Sequence, residues 1–243
     1  MTRTGSWLPR IDVDALASRL GARTASLDLE PIATKLLETI DKVAGSRWDI
    51  AVARAAALPG DVRPEKIKAL TDSISRELAA VGAASGAAAA APAVGTAASL
   101  LAVMTDLAWF TTRAGDLILT IAALHGRTEP TVDERRAWVL AVLIYGGSAR
   151  DGFNSAAAQL GLPIEATATT LPIASVRAIN GVLSRVLVRR FGSRRGAVAI
   201  ASRIPLGIGA VVGGAANYSS VRALARHADR FFSRLPYSAI DVP

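Results

Sequence analysis

The chain has 243 residues, of which 51% are hydrophobic and 20% charged, enough apolar material for one large domain or two small ones. The absence of cysteine excludes disulfides, thiolate nucleophiles and cysteine-bound metal ions, and two histidines argue against a histidine-rich metal site. The formal net charge of +8 is unevenly placed, since residues 166–228 contain nine arginines and no acid. We therefore expect this half of the chain to face an anionic surface.

The chain is expected to begin with an arm that precedes a folded domain. Residues 1–25 contain both acids and arginines and lack the apolar run of a signal peptide, which favours a flexible N-terminal arm and a cytoplasmic start. Residues 26–243 carry helical patterns throughout, without an obvious linker. They are predicted to form a single helical domain.

Helical periodicity organises the first part of this domain. Ser26 can cap one helix, and Ser46 can cap a second, alanine-rich helix that Pro59 and Gly60 end. The clearest helix is predicted over residues 61–81, where one apolar stripe lies opposite a polar face. We expect that polar face to lie in water: Lys66, Lys68, Asp72, Arg76 and Glu77.

Residues 78–105 contain no charge. Their length alone would permit a membrane span. Most of them are Ala, Gly, Ser and Thr, which partition weakly into hydrocarbon, and Pro92 lies near the middle. We predict a tightly packed buried hairpin, with membrane insertion as the alternative.

The remainder of the chain also carries helical patterns. Further helices are predicted over residues 100–124, from the capping box Thr131–Glu134 to Gly146 and Gly147, over the apolar stripe 173–187, and over 222–234. Residues 148–170 indicate a connection with a weak helix, and there is no alternating strand pattern of useful length. The predicted fold class is all-α, a compact multi-helix domain with Gly/Ala-rich central helices.

The stretch Ile204–Tyr218 is uncharged and rich in small residues. In a helix, Gly209, Gly213 and Asn217 would lie on one face. Such a face allows another backbone to approach closely. Because glycine weakens an isolated helix by roughly 1 kcal/mol relative to alanine, we expect this segment to pack against a partner helix.

Three segments resemble the EcsC family, bacterial proteins named from an operon that also encodes an ABC transporter. They are T-D-L-A-W-F-T-T-R at 105–113, I-A-A-L-H-G at 121–126 and I-P-L-G-I-G-A-V-V-G-G-A-A-N-Y at 204–218. The similarity spans roughly residues 59–235 and departs from the usual pattern at His125, where an aromatic residue is expected. It implies a helical cytoplasmic or membrane-associated protein, possible partnership with a membrane transporter, and an activity that the family leaves open.

Charged residues in the apolar helix 100–124 form the first candidate site. Asp106, Arg113 and Asp116 share one side of the helix, and charges in apolar surroundings are costly unless they are paired or functional. One interpretation is an ion pair between Asp106 and Arg113 that sets helix register. The other is an anion or headgroup site at Arg113, with Asp106 or Asp116 as the catalytic carboxylate.

A second group of candidates lies in the basic half. Asn217 and Tyr218 follow the small-residue face, where they could bond to a neighbouring helix or bind a ligand. The sequence also places four arginines around Phe191 and Gly192, and we expect them to contact phosphate: Arg189, Arg190, Arg194 and Arg195. A low aromatic content of 5% and the absence of a recognition motif argue against nucleic acid.

No catalytic, nucleotide-binding or metal motif is present in the sequence, and no cofactor is indicated. The acidic pair Asp133 and Glu134 is explained by the capping box. We expect a protein peripheral to the inner face of the membrane that binds anionic lipid or a lipid- or isoprenoid-like ligand. The alternatives are an enzyme acting on a lipid or isoprenoid diphosphate and a structural partner of a membrane transporter.

Overall fold

The computed structural model describes residues 30–89, 96–162, 170–191, 213–235 and 238–240. Helices occupy most of these ranges: α1 (Glu30–Ser46), α2 (Trp48–Ala57), α3 (Arg63–Ala89), α4 (Thr96–Leu124), α5 (Val132–Tyr145), α6 (Ala149–Ala158), α7 (Ile173–Phe191) and α8 (Gly213–Ser233). A short 3₁₀ turn, Gly146–Ser148, joins α5 to α6. The all-α fold class is therefore confirmed, while the predicted arm at 1–25 lies outside the described residues.

Helix α4 lies at the centre of the fold. It packs against α1, α2, α3 and α8, and it also contacts α5. Leu117, Ile118 and Ile121 are completely buried in its second half, because that half is apolar on nearly every side. An 18-residue segment of this helix, Leu107–Leu124, is long and apolar enough to cross a membrane, yet 61% of it is buried inside the protein. Helices in the core of soluble proteins have the same composition.

Helix α5 forms a second layer with α7, α1 and α6. It begins at the predicted capping box, in which the Thr131 hydroxyl accepts from the Glu134 amide and the Glu134 carboxylate accepts from the Thr131 amide. It ends at Gly146, whose positive φ of 55° suits glycine. The predicted start and end of this helix are thus confirmed.

Two short strands correct the expectation that the chain contains none. Thr170–Pro172 pairs in parallel with Ser238–Ile240, so two segments far apart in the sequence meet. Three residues are too few to show the two-residue alternation by which strands are recognised. The pairing is set by the tertiary fold and not by a local pattern.

Several local predictions were wrong at their boundaries. Helix α3 runs beyond residue 81 to Ala89, because the alanine-rich sequence that follows the apolar stripe still favours helix. The Ser46 hydroxyl donates to the Lys42 carbonyl, so it does not cap α2. The expected weak helix within 148–170 is the ten-residue helix α6, and five of its residues are buried.

The uncharged stretch 78–105 is divided between the end of α3 and the start of α4. The two helices contact each other, as a helical hairpin requires. Residues 90–95, and the side chains between 79 and 104, lie outside the described part of the chain. The choice between a buried hairpin and membrane insertion therefore stays a prediction.

A close approach of α1 and α4 yields a first testable prediction. A methyl group at Gly115 would lie 2.5 Å from Cγ1 of Val43, and a helical valine has essentially one side-chain rotamer. Overpacking of this kind costs roughly 1–3 kcal/mol, whereas the better helix propensity of alanine returns at most about 1 kcal/mol. We expect Gly115→Ala to reduce the free energy of unfolding, measured by urea denaturation, by about 1 kcal/mol or more.

Gly45 provides the matched control, because it is exposed on α1 and no atom lies within 4 Å of an added methyl group. Gly45→Ala should leave stability unchanged or raise it by up to about 1 kcal/mol. Equal effects of the two substitutions would contradict the close approach of α1 and α4.

Candidate functional site

Asp116 on α4 is the centre of a cluster of charged side chains. Its carboxylate accepts two hydrogen bonds from Arg47, one from Nε at 2.7 Å and one from Nη2 at 2.6 Å. Arg113 Nη1 donates to the same carboxylate at 3.2 Å, and Arg54 Nη1 lies 3.9 Å away. The Asp116 side chain is only 3% exposed. Burial of this carboxylate is compensated by the arginines around it.

Arg113 joins Asp116 to a second carboxylate. Its Nε lies 3.2 Å from Oε2 of Glu77 on α3, and its guanidinium lies over the Trp109 ring, 5.6 Å from the ring centroid. Glu77 was expected in water, and this was wrong because the packing of α3 on α4 buries its Oε2. The side chain of Asp106, the predicted partner of Arg113, lies outside the described residues.

The cluster links α2, α3 and α4 and has the geometry of a structural ion-pair network. Both oxygens of Asp116 already accept from guanidinium groups, and this interaction raises the pKa of Arg47 further above its usual value, against the opposing effect of burial. Helical spacing pairs Arg113 only with residues of its own helix, and it gives no sign of Arg47, Arg54 and Glu77, which lie on other segments. The catalytic assignment of Asp106 and Asp116 stays a prediction.

A second charged feature runs along the outer side of α8. Four exposed arginines recur at four-residue spacing and are here named the arginine row: Arg222, Arg226, Arg230 and Arg234. A helical step of four residues turns the side chain by only about 40° beyond a full turn, so the first three share one broad face. Arg234 directly follows the end of the helix.

The opposite face of α8 anchors this row. Val221, Ala225, Ala228, Phe231 and Phe232 are buried in the core, which forces the arginines outward. The sole acid of the helix is Asp229, whose carboxylate lies 2.8 Å from Nε2 of the His125 ring at the end of α4. Arg226, Arg230 and Arg234 form no ion pair with any residue in the described ranges.

His125 has a structural position at this junction. Burial lowers its pKa, an effect that the hydrogen bond to Asp229 partly opposes. The neighbouring Arg127 donates to the carbonyl groups of Phe232 and Leu235. Together these contacts hold the end of α8 against α4, and the sequence offers no signal for them other than His125 itself.

The remaining predicted site residues are only partly described. Arg189 is exposed at the end of α7, whereas Arg190 Nη1 donates to the Ile144 carbonyl at 2.6 Å and so helps to join α7 to α5. Arg194 and Arg195 lie outside the described residues, as does most of the 204–218 stretch. Asn217 and Tyr218 belong to the first turns of α8, but their side chains are not described. The assignment of these residues to one ligand-binding site therefore stays a prediction.

No group of three or more histidine, aspartate or glutamate side chains within the described ranges is placed to hold a metal ion. Comparison with known protein families, with curated proteins and with solved structures gives no match. In the part of the chain that the structure describes, the geometry defines a helical protein with a buried ion-pair cluster and an exposed arginine row. The resemblance to the EcsC family stays an expectation from the sequence.

Proposed function

We propose that the protein associates peripherally with an anionic membrane surface through α8. The observation that carries this proposal is the arginine row, three exposed arginines on one face of an anchored helix and a fourth directly after its end. Each basic residue near an anionic lipid surface contributes about 1 kcal/mol to binding. A row of four provides several such contributions at once.

The orientation of the row supports a planar partner. Because Phe231 and Phe232 fix the core face of α8, the backbone that carries the arginines is already in place when the protein meets a surface. The Asp229 carboxylate contacts His125 and forms no ion pair with Arg226, Arg230 or Arg234 among the described residues. Preorganised positive charge of this kind favours contact with many phosphate groups.

A lipid surface fits the chain better than nucleic acid does. Proteins that bind single strands stack bases on aromatic side chains, and such residues make up only 5% of this chain. The row is also preceded by the uncharged, small-residue stretch Ile204–Tyr218, an apolar neighbour suited to a membrane interface. Lipid headgroups are therefore the partner we assign to α8.

Vesicle co-sedimentation tests this function. We expect the protein to bind vesicles that contain phosphatidylglycerol and to ignore vesicles of phosphatidylcholine alone, because only the former carry net negative charge. Binding should weaken as salt rises, since the Debye length falls from about 10 Å at 0.1 M to about 3 Å at 1 M. Equal binding to both kinds of vesicle, or binding that salt does not change, would contradict the proposal.

A further inference from the structure

A cavity of about 300 Å³ lies where the 3₁₀ turn and the start of α6 meet the end of α8. Its volume is at the lower end of the range for small-ligand sites, roughly 300–1,000 Å³. Its polar wall is formed by six side chains: Arg150, Asp151, Asn154, His227, Arg230 and Arg234. Two members of the arginine row, Arg230 and Arg234, thus also line this partly open cavity.

Two glycines of the 3₁₀ turn lie against His227, and one of them, Gly147, lines the cavity. A methyl group at Gly146 would lie 3.0 Å from Nδ1 of His227, and Gly146 also has a positive φ of 55°. A methyl group at Gly147 would lie 3.5 Å from Nε2 of the same ring and 3.6 Å from Nη1 of Arg230. The turn therefore brings bare backbone close to the histidine and keeps the space next to Arg230 open.

The charges around the cavity favour a doubly negative ligand. None of Arg150, Arg230 and Arg234 has an ion pair or side-chain hydrogen bond among the residues that the structure describes. Burial, followed by the nearby Arg230 and Arg226, lowers the pKa of His227, so its ring is neutral at pH 7. Three arginines against the single carboxylate of Asp151 leave two positive charges, which match a phosphate monoester of charge about −1.5 to −2.

Asn154 adds a requirement for a hydrogen-bond donor. Its Oδ1 is buried and has no hydrogen-bond partner within the described ranges. A buried acceptor without a donor costs roughly 1–3 kcal/mol, which a ligand hydroxyl could recover. The neighbouring Asp151 carboxylate is a second acceptor at the same cavity. The ligand should therefore carry hydroxyl groups beside its phosphate.

We propose that this cavity binds a phosphate monoester on a hydroxyl-bearing carrier, such as glycerol phosphate or a sugar phosphate. Arg150, Arg230 and Arg234 hold the phosphate oxygens, and Asn154 accepts from a carrier hydroxyl. If the monoester is the headgroup of a lipid, this inference rests on the proposed membrane association. It then specifies the lipid class as one with a phosphate monoester headgroup. Where the monoester is a soluble molecule, it stands without that association.

Calorimetry on the full chain with glycerol phosphate tests the cavity itself. We expect glycerol phosphate to bind roughly tenfold more tightly than inorganic phosphate, and glycerol alone not to bind, since phosphate and hydroxyl groups both contribute. Arg150→Gln should weaken binding by roughly tenfold or more. Lys42→Gln, which removes the same charge from an exposed position on α1 that does not line the cavity, should change it less than about twofold.

A second variant separates a binding defect from a folding defect. Asn154→Leu removes the acceptor for the carrier hydroxyl and leaves no unpaired oxygen behind, so it should weaken glycerol phosphate binding by roughly tenfold, to that of inorganic phosphate, while the melting temperature stays near that of the wild type. Failure of the wild-type protein to bind glycerol phosphate would overturn the inference for soluble monoesters. So would equal losses in Arg150→Gln and Lys42→Gln, because these would indicate only general electrostatic attraction.

Vesicles distinguish the two sources of the monoester. Lysophosphatidic acid carries the same headgroup as glycerol phosphate, so a lipid ligand predicts tighter binding to vesicles that contain it than to phosphatidylglycerol vesicles of equal charge. Arg150→Gln should remove that preference and leave phosphatidylglycerol binding in place. If the protein binds glycerol phosphate in solution but does not prefer vesicles that contain lysophosphatidic acid, the cavity is a site for a free monoester. If the protein binds glycerol phosphate through Arg150 but binds no vesicle, the proposed membrane function would be overturned and the proposed monoester site would be supported.

Discussion

Asp116→Asn should lower the free energy of unfolding by roughly 3 kcal/mol, near the lower end of the cost of breaking a buried ion pair. The substitution removes the charge that Arg47 contacts with two hydrogen bonds and that Arg113 and Arg54 approach. The lower end applies because the side chains of these arginines remain about a quarter exposed to water. For a chain of this length the melting temperature should fall by roughly 6–12 °C.

Asp133→Asn is the matched control for this experiment. Asp133 pairs with Arg177 at 2.8 Å, but the Arg177 side chain is 66% exposed, so this pair should contribute less than about 1 kcal/mol. Urea denaturation of the two variants measures the difference directly. If Asp116→Asn destabilises no more than Asp133→Asn, the cluster is not structural.

The double variant Arg47→Met/Asp116→Leu tests whether the stability loss of Asp116→Asn arises because arginine charge is left buried without its partner. Replacing a buried ion pair by apolar side chains of similar volume is often neutral, so the double variant should recover much of the stability that Asp116→Asn loses. A stable Asp116→Asn protein that no longer binds glycerol phosphate or vesicles would instead support a functional role for this carboxylate.

Neutralising the arginine row should reduce binding to phosphatidylglycerol vesicles by roughly a hundredfold or more at low salt. Four basic residues at about 1 kcal/mol each sum to about 4 kcal/mol, and each 1.4 kcal/mol corresponds to about tenfold in affinity. The variant carries four substitutions: Arg222→Gln, Arg226→Gln, Arg230→Gln and Arg234→Gln. Because these side chains are exposed, the protein should remain folded.

The control variant removes four positive charges from helices α1 and α3: Lys35→Gln, Lys42→Gln, Lys68→Gln and Arg76→Gln. Total charge changes equally in the two variants. If the arginine row is the binding surface, the control should lose only a few fold in affinity for phosphatidylglycerol vesicles. Equal losses would show that net charge, and not the placement of arginines on α8, determines binding. Co-sedimentation at matched ionic strength measures both.

The sequence by itself determined the fold class and most helix positions. Apolar residues at helical spacing mark α1, α3, α4 and α7, and helix α5 could be predicted from cap to cap because Thr131, Glu134 and Gly146 act through neighbours three or four residues away. The sequence also determined that residues 166–228 carry arginine without acid. These are local properties, and local interactions are sufficient to produce them.

Only the tertiary structure decided which charges meet. Arg47 lies sixty-nine residues from Asp116, and Glu77 comes from another helix than Arg113, so spacing along the chain could not pair them. Likewise, Arg150 is far in sequence from Arg230 and Arg234, and the cavity that they line exists because Gly146 and Gly147 let a turn pack against His227. The packing of helices selects such partners through the burial of their apolar faces, which is a property of the whole chain.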